Sequence, residues 1–329
     1  MWQPFFRFWL INSLLFIFIT GKLWAQSGKE EAFWPNGNPK ILGFYDDKHY
    51  KHREWKEWYE TGQLKKVEIF YRGRRDGLVT EYYENGQIRY QQGYKPSINF
   101  NGSVLVDGSW VEYYPDGKKM KAGTYLNGVR DGVWQEWFAT GTLQKEETIV
   151  NLKKNGSYKE WYENEQLRLA GTYTADNKIG PWQEWHANGQ LAKEEFFNNA
   201  GKLEGKVISF YPTGQKKTEG EYRNSLRTGN WNEWHENGNL KIKAYYGPYG
   251  LQGSYTEWHT NGGKSLETFY KDNKLHGAWQ EWFSTGKLKT EGYYSQGLRD
   301  EVWLTWNVEG TKTKQVIYNN GTKKKETTF

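Results

Sequence analysis

Nine glutamates recur at one place in a repeating pattern: Glu57, Glu81, Glu112, Glu136, Glu160, Glu184, Glu233, Glu257 and Glu281. Paired carboxylates are the machinery of glycoside hydrolysis, which needs two carboxyl groups about 5–9.5 Å apart in different environments. A column repeated nine times gives every member the same setting, so it reads as structure and not as one special pair. The six histidines point the same way. His186, His235 and His259 occupy a slot that holds Phe138, Tyr162 and Phe283 elsewhere, and His276 falls in a turn. His49 and His52 could offer two metal ligands, but the chain has no cysteine and no third ligand at a fixed spacing. No nucleophile elbow, phosphate loop or dinucleotide fingerprint occurs in a suitable setting. The expectation is a protein that is not an enzyme and uses no cofactor or metal.

The feature with binding potential is a second column, aromatic in all eleven repeats: Trp58, Tyr82, Tyr113, Trp137, Trp161, Trp185, Phe210, Trp234, Trp258, Trp282 and Trp306. Rings two strands apart, roughly 9.5 Å, could stack successive sugars or anchor a protein partner. The candidate binding surface is Trp137, Trp161, Trp185, Trp234, Trp258 and Trp282. Against this stands the reading that neighbouring Lys and Arg stems cover these rings.

Both columns follow from repetition. Gly132-Val133-Trp134-Gln135-Glu136-Trp137-Phe138 returns as Gly180-Pro181-Trp182-Gln183-Glu184-Trp185-His186 and as Gly277-Ala278-Trp279-Gln280-Glu281-Trp282-Phe283. Repeats start at Arg53, Gly77, Gly108, Gly132, Gly156, Gly180, Gly205, Gly229, Gly253, Gly277 and Glu301. The spacing is 24 except for one of 31 and one of 25, and the longer places an insertion at about 95–107, expected as a loop bulging from one edge. Each unit alternates with period two around a dipeptide such as Asn85-Gly86, Asp116-Gly117, Asn188-Gly189 or Asn237-Gly238. Such pairs suit a two-residue type I′ turn, so each repeat is expected to be one β-hairpin with a connecting turn.

A two-residue turn at Thr140-Gly141 places Phe138 opposite Leu143, Trp137 opposite Gln144 and Glu136 opposite Lys145. The same register pairs Glu57 with Lys66, Glu112 with Lys121 and Glu184 with Lys193. It pairs Ser209 with Thr218 where the glutamate is missing. Six residues of the aromatic column then face Lys65, Arg89, Arg168, Lys217, Lys241 and Lys289. The other face carries Trp134, Glu136, Phe138, Leu143 and Lys145, with a Tyr or Phe closing ten of eleven repeats. Gly123, Gly171, Gly220 and Gly292 fall opposite Trp110, Tyr158, Val207 and Trp279, leaving room for a ring across the backbone.

Tyr125-Leu126-Asn127-Gly128-Val129-Arg130-Asp131-Gly132 resembles the MORN repeat, and the Glu-Trp-Tyr-x-x-Gly-x-Leu portion is similar to its bacterial variant. The resemblance covers about Trp34 to Tyr318. It implies an all-β, elongated, single-layer antiparallel sheet of tandem 24-residue hairpins, on the order of 100 Å long for eleven hairpins. It also implies a scaffold acting through protein contacts, self-association or membranes, with no catalytic residues to carry over. Proteins with this variant are often labelled antitoxins of toxin–antitoxin systems.

Composition agrees with a thin sheet held by rings: 18% aromatic, with 19 Trp, 24 Tyr and 37 Gly in 329 residues. The charge of +6 is spread along the chain, with no concentrated basic footprint for nucleic acid. Residues 1–25 differ in kind. Arg7, the apolar run Phe8–Thr20 and Ala25 have the shape of a secretory signal cleaved near Ala25, with an uncleaved anchor as the alternative. Residues 26–52 form a lead-in and degenerate capping repeat, 53–324 hold the eleven repeats, and 325–329 are a tail. The expected role is an exported, non-enzymatic scaffold binding a protein in the cell envelope. An envelope polysaccharide is the second candidate ligand, and an effector protein neutralised as by an antitoxin is the third.

Overall fold

The computed structural model describes residues 28–96 and 104–329. The regular structure there is all β: one open sheet of 27 strands, each antiparallel to its neighbours in sequence. Arg74–Arg75 and Gly250–Leu251 are short strands just ahead of Gly77–Tyr82 and Gly253–Trp258. The lead-in repeat forms a hairpin of Lys29–Phe33 and Pro39–Tyr45.

Two kinds of turn alternate along the sheet, and their order reverses the expectation. At Thr140-Gly141 the Phe138 carbonyl accepts from the Gly141 N–H at 2.9 Å, and the Phe138 N–H donates to the Thr142 carbonyl at 2.9 Å. Gly141 alone has positive φ, +97°. This is a type I turn followed by a left-handed glycine and a bulge, not a type I′ turn. Asn188-Gly189 behaves likewise: only the glycine has positive φ. The asparagine is engaged otherwise, its Oδ1 accepting from the Gln190 N–H at 3.1 Å and its Nδ2 donating to the Pro212 carbonyl of the next hairpin at 2.7 Å. The two-residue type I′ turns lie at the opposite edge. Asn127-Gly128 has φ of +53° and +89°, and Ala175-Asp176 adopts the same form at +48° and +69° without a glycine.

The bulge changes the register by one residue at the turn and nowhere else. Glu136 pairs with Lys145 as expected, but Trp137 pairs with Leu143, not Gln144, and Phe138 closes the loop. Glu57–Lys66, Glu112–Lys121 and Glu184–Lys193 pair in register. So do Ser209 and Thr218, whose hydroxyls meet at 2.5 Å. Of the insertion, Lys95, Pro96 and residues 104–107 continue as paired strand, with Lys95 bonded to Asp107 at 2.8 Å. They lengthen a hairpin where a loop was expected; residues 97–103 lie outside the described residues.

The sheet ends on Thr322–Thr328, so the expected tail continues as strand. Lys314 and Lys323 both bond Glu326 at 2.8 Å, and these hydrogen bonds hold its carboxyl at about 2. A depressed carboxyl stabilises above its unfolded value, and the contribution disappears as pH falls through the folded one. Acidifying from about pH 4.5 towards pH 2 is therefore expected to loosen residues 322–328 in the native chain. Glu326→Gln should already show that faster amide exchange at neutral pH; equal protection in the two proteins there would refute the assignment.

Candidate functional site

The first face of the sheet is built on glycine and tryptophan. Asp131 pairs with Thr124 and Gln135 with Ala122, so three residues face the single Gly123 and the strand bulges there. Gly132 makes the bulge at φ +76°. Trp134 then lies on the glycine: a Cβ on Gly123 would sit 2.3 Å from its ring. Gly43, Gly171, Gly220 and Gly292 meet Trp55, Trp182, Trp231 and Trp303 at 2.2–2.3 Å in the same way. The glycines do pair in register with Trp110, Tyr158, Val207 and Trp279 where expected. The ring across each glycine nevertheless belongs to the following hairpin.

This contact explains a covariation along the chain. After each of these glycines comes tryptophan; after Glu68, Glu147 and Glu195 the same place holds Val79, Tyr158 and Val207, while Gln92 and Thr268 are followed by Trp110 and Trp279, both less buried than the tryptophans over glycine. Each buried indole is also capped by a cation four residues upstream. Lys51, Arg130, Lys178, Arg227 and Arg299 stand 4.1–4.2 Å from the ring centres of Trp55, Trp134, Trp182, Trp231 and Trp303. A tyrosine edge completes the packing, as with Tyr173 against Trp182 at 5.0 Å.

The histidine slot has a second role that ring shape alone did not reveal. The hydroxyls of Tyr59, Tyr83, Tyr114, Tyr162 and Tyr211 donate at 2.8–2.9 Å to carbonyls one hairpin further on. His186, His235 and His259 place Nε2 at 2.8–3.0 Å from the equivalent carbonyls of Phe210, Trp258 and Trp282, as Nε2–H donors. The alternation of Tyr with His was the available sequence signal, because both carry a donor at the ring's far end. His49 stacks on Tyr45 at 4.3 Å and His52 lies against Tyr71. Among the described residues no group of three or more metal-ligating side chains forms.

The glutamate column lies on this first face, and five of its members, Glu81, Glu136, Glu160, Glu257 and Glu281, are held in ion pairs or hydrogen bonds. Glu136 meets Lys145 at 3.3 Å and Lys121 at 3.7 Å, and Glu281 meets Lys289 at 2.7 Å. Arg89 and Arg168 pair with Glu81 and Glu160, while Lys65 and Lys217 stand over Tyr59 and Tyr211. These basic residues were expected opposite the aromatic column of the other face. The bulge moves them, because a one-residue shift exchanges faces.

The second face carries the candidate row. Trp137, Trp161, Trp185, Trp234, Trp258 and Trp282 are all half-buried. Their partners across the hairpin are Leu143, Leu167, Leu191, Leu240, Lys264 and Leu288. Lys119, Lys216 and Lys264 from preceding hairpins stand over Trp137, Trp234 and Trp282 at 5.1–5.9 Å. Sequence reasoning missed a parallel stripe on this face. Val133 (50% exposed), Phe196 (46%), Tyr245 (46%), Phe269 (44%) and Val302 (42%) lie level with one another, four residues from the row along the strand or paired across the ladder with such a position, with polar residues such as Thr148 and Lys206 on intervening strands. A groove of about 690 Å³ opens here between Tyr245, Ser254, Thr256 and Trp258. Among the described residues no helix is long and apolar enough to cross a membrane.

No match was found among curated proteins. Among solved structures, the TcdB2-TccC3 crystal structure is 12% identical, covering 88% of this chain and 20% of that chain at a TM-score of 0.18. TcdB2-TccC3-Cdc42 is 10% identical, covering 89% and 21% at 0.15. The chain spans about a fifth of the length of those chains, and similarity this low carries nothing over to it. The family described as MORN repeat variant matches residues 26–47, 51–71, 75–95, 106–127, 130–151, 154–175, 178–199, 203–224, 227–246 and 275–296. These segments cover more than half of the chain and coincide with the hairpins, and the family is a repeat scaffold type whose members generally contact proteins or membranes. The chain belongs to the MORN repeat variant family.

Proposed function

We propose that the protein is an exported, non-enzymatic scaffold whose second face binds a protein partner in the cell envelope. The observation that carries the reading is the pairing, on one face, of half-buried indoles with exposed Val133, Phe196, Tyr245, Phe269 and Val302. Exposed apolar side chains beside anchored rings are what a protein interface desolvates. Sugar stacking asks instead for open ring faces with polar groups around them. The row offers half-buried indoles paired across the hairpin with Leu143, Leu167 and Leu191. Export is supported by Phe8–Thr20 and Ala25, which lie outside the described residues.

The test is affinity capture from an envelope extract with the full chain tagged at its C-terminus, alongside Val133→Asp, Trp185→Ala and Phe269→Asp. One stoichiometric protein retained through high salt, and lost at least tenfold in the variants while their circular dichroism is unchanged, is the expected result. Polysaccharide without such a protein would replace the reading by a glycan-binding one. Recovery of the processed chain in the cytosol would remove the envelope.

A further inference from the structure

The first face packs the chain's own cations against pairs of rings. In five of the filled repeats a Lys or Arg sits over two rings, and in the sixth Arg130 covers Trp134 alone, where Ile149 takes the second place. Lys154 stands over Tyr158 and Tyr173 at 4.8 and 5.1 Å, and Arg227 over Trp231 and Tyr246 at 4.2 and 5.5 Å. The ring pairs themselves are Tyr158–Tyr173 at 5.3 Å and 81°, and Trp231–Tyr246 at 6.1 Å and 74°. Two adjacent repeats keep this ring pair and lack the cation. Tyr255–Tyr270 meet at 5.5 Å and 72°, and Trp279–Tyr294 at 5.5 Å and 68°. The residues four positions upstream are Leu251 and Leu275.

Burial follows the cation. Trp55, Trp134, Tyr158, Trp182, Trp231 and Trp303, each with its Lys or Arg, are buried, whereas Tyr255 and Trp279 are half-buried. Tyr158 shows that a glycine beneath is not the cause, since its neighbour there is Glu147. A groove of about 290 Å³ borders Trp279 and is lined by Glu257, Glu281 and Lys289, and Lys289 is committed to Glu281 at 2.7 Å. Glu257 accepts the Tyr255 hydroxyl at 2.7 Å, and no ion pair among the described residues engages it. Rings and carboxylate are thus set for a cation that the chain does not supply here.

We propose that Tyr255–Tyr270 and Trp279–Tyr294 are two seats for basic side chains of a partner's extended segment, with Glu257 as counter-charge. The inference goes beyond the scaffold reading, because it places a second contact surface on the opposite face. The seats lie one repeat apart, two strands or roughly 9.5 Å. A polyproline II segment rises about 3.1 Å per residue with three residues per turn, so side chains three apart share a face at about 9.3 Å. The fitting ligand is therefore Arg-x-x-Arg in that conformation.

The probe is a capped peptide with two arginines separated by two prolines, titrated into the full chain and followed by indole N–H NMR. The controls are the same peptide with three prolines, and phosphocholine. In the double variant Leu251→Lys, Leu275→Arg the chain fills both seats with residues it already uses at Lys178 and Arg227. Affinity is expected to fall at least about tenfold there and severalfold in Glu257→Gln. Unchanged affinity in the filled variant, or equal binding of the three-proline peptide, would overturn the two-seat assignment. Should the filled variant fail to fold, Glu257→Gln decides alone, and native affinity there counts against the proposal. Phosphocholine binding without peptide binding would assign the seats to a small quaternary ammonium ligand instead. Failure of this experiment leaves the capture experiment unaffected, since that one reads the second face.

Discussion

Replacing Trp182 with alanine is expected to lower stability by about 3–5 kcal/mol, the range for deleting a large buried aromatic side chain. Trp182 is 2% exposed. It rests on Gly171, is capped by Lys178 at 4.1 Å, and meets Tyr173 at 5.0 Å and Phe197 at 6.4 Å. A single-layer sheet has no second layer to collapse into the hole. The lost contacts also span two hairpins, and in a repeat array stability resides in just such nearest-neighbour terms. Urea unfolding should therefore divide into two transitions, with amide exchange fastest over the strands Leu167–Thr174 and Leu191–Phe197 flanking the site. Trp185, three residues on and half-buried on the second face, should cost only about 1–2 kcal/mol when truncated. Equal costs at the two positions would mean that the first face is not where the sheet is held together.

The architecture was legible because period two, the 24-residue spacing and the Glu–Lys pairs are all local or adjacent-strand properties. The Ser209–Thr218 exchange carried the register, since two positions changed together. What misled was the chemistry of Asn-Gly. Asn188 looks like a type I′ residue, but its side chain reaches the next hairpin, a use invisible from within one repeat. The bulge that follows from this turn moved Arg89 and Arg168 to the glutamate face and put leucine beside the aromatic row. The candidate row itself lay on the expected face, opposite Trp134 and Glu136, because residues up to Trp137 precede the shift. The cation caps were written in the sequence four residues before each buried tryptophan. Reading them required knowing that a glycine bulge turns that strand onto its neighbour.

Gly171→Ala is expected to be nearly as damaging as losing the indole, at about 3 kcal/mol, the upper part of the usual range for overpacking. The added Cβ would stand 2.2 Å from the Trp182 ring. Gly171 is not among the positive-φ residues, so backbone strain contributes nothing and the cost is steric. By contrast Gly286, at φ +84° with open space around it, should cost about 1 kcal/mol through conformation alone. The ring cannot move away from Gly171, because Lys178 closes its other side. The chain supplies the compensating change: Ala244 is followed in the next hairpin by Tyr255, a smaller ring. Adding Trp182→Tyr to Gly171→Ala should therefore recover at least about 1 kcal/mol relative to Gly171→Ala alone, although Trp182→Tyr by itself destabilises. A double-mutant cycle in urea measures this coupling. Additivity of the two substitutions would show that the succession of tryptophan after glycine along the chain does not arise from contact between neighbouring hairpins.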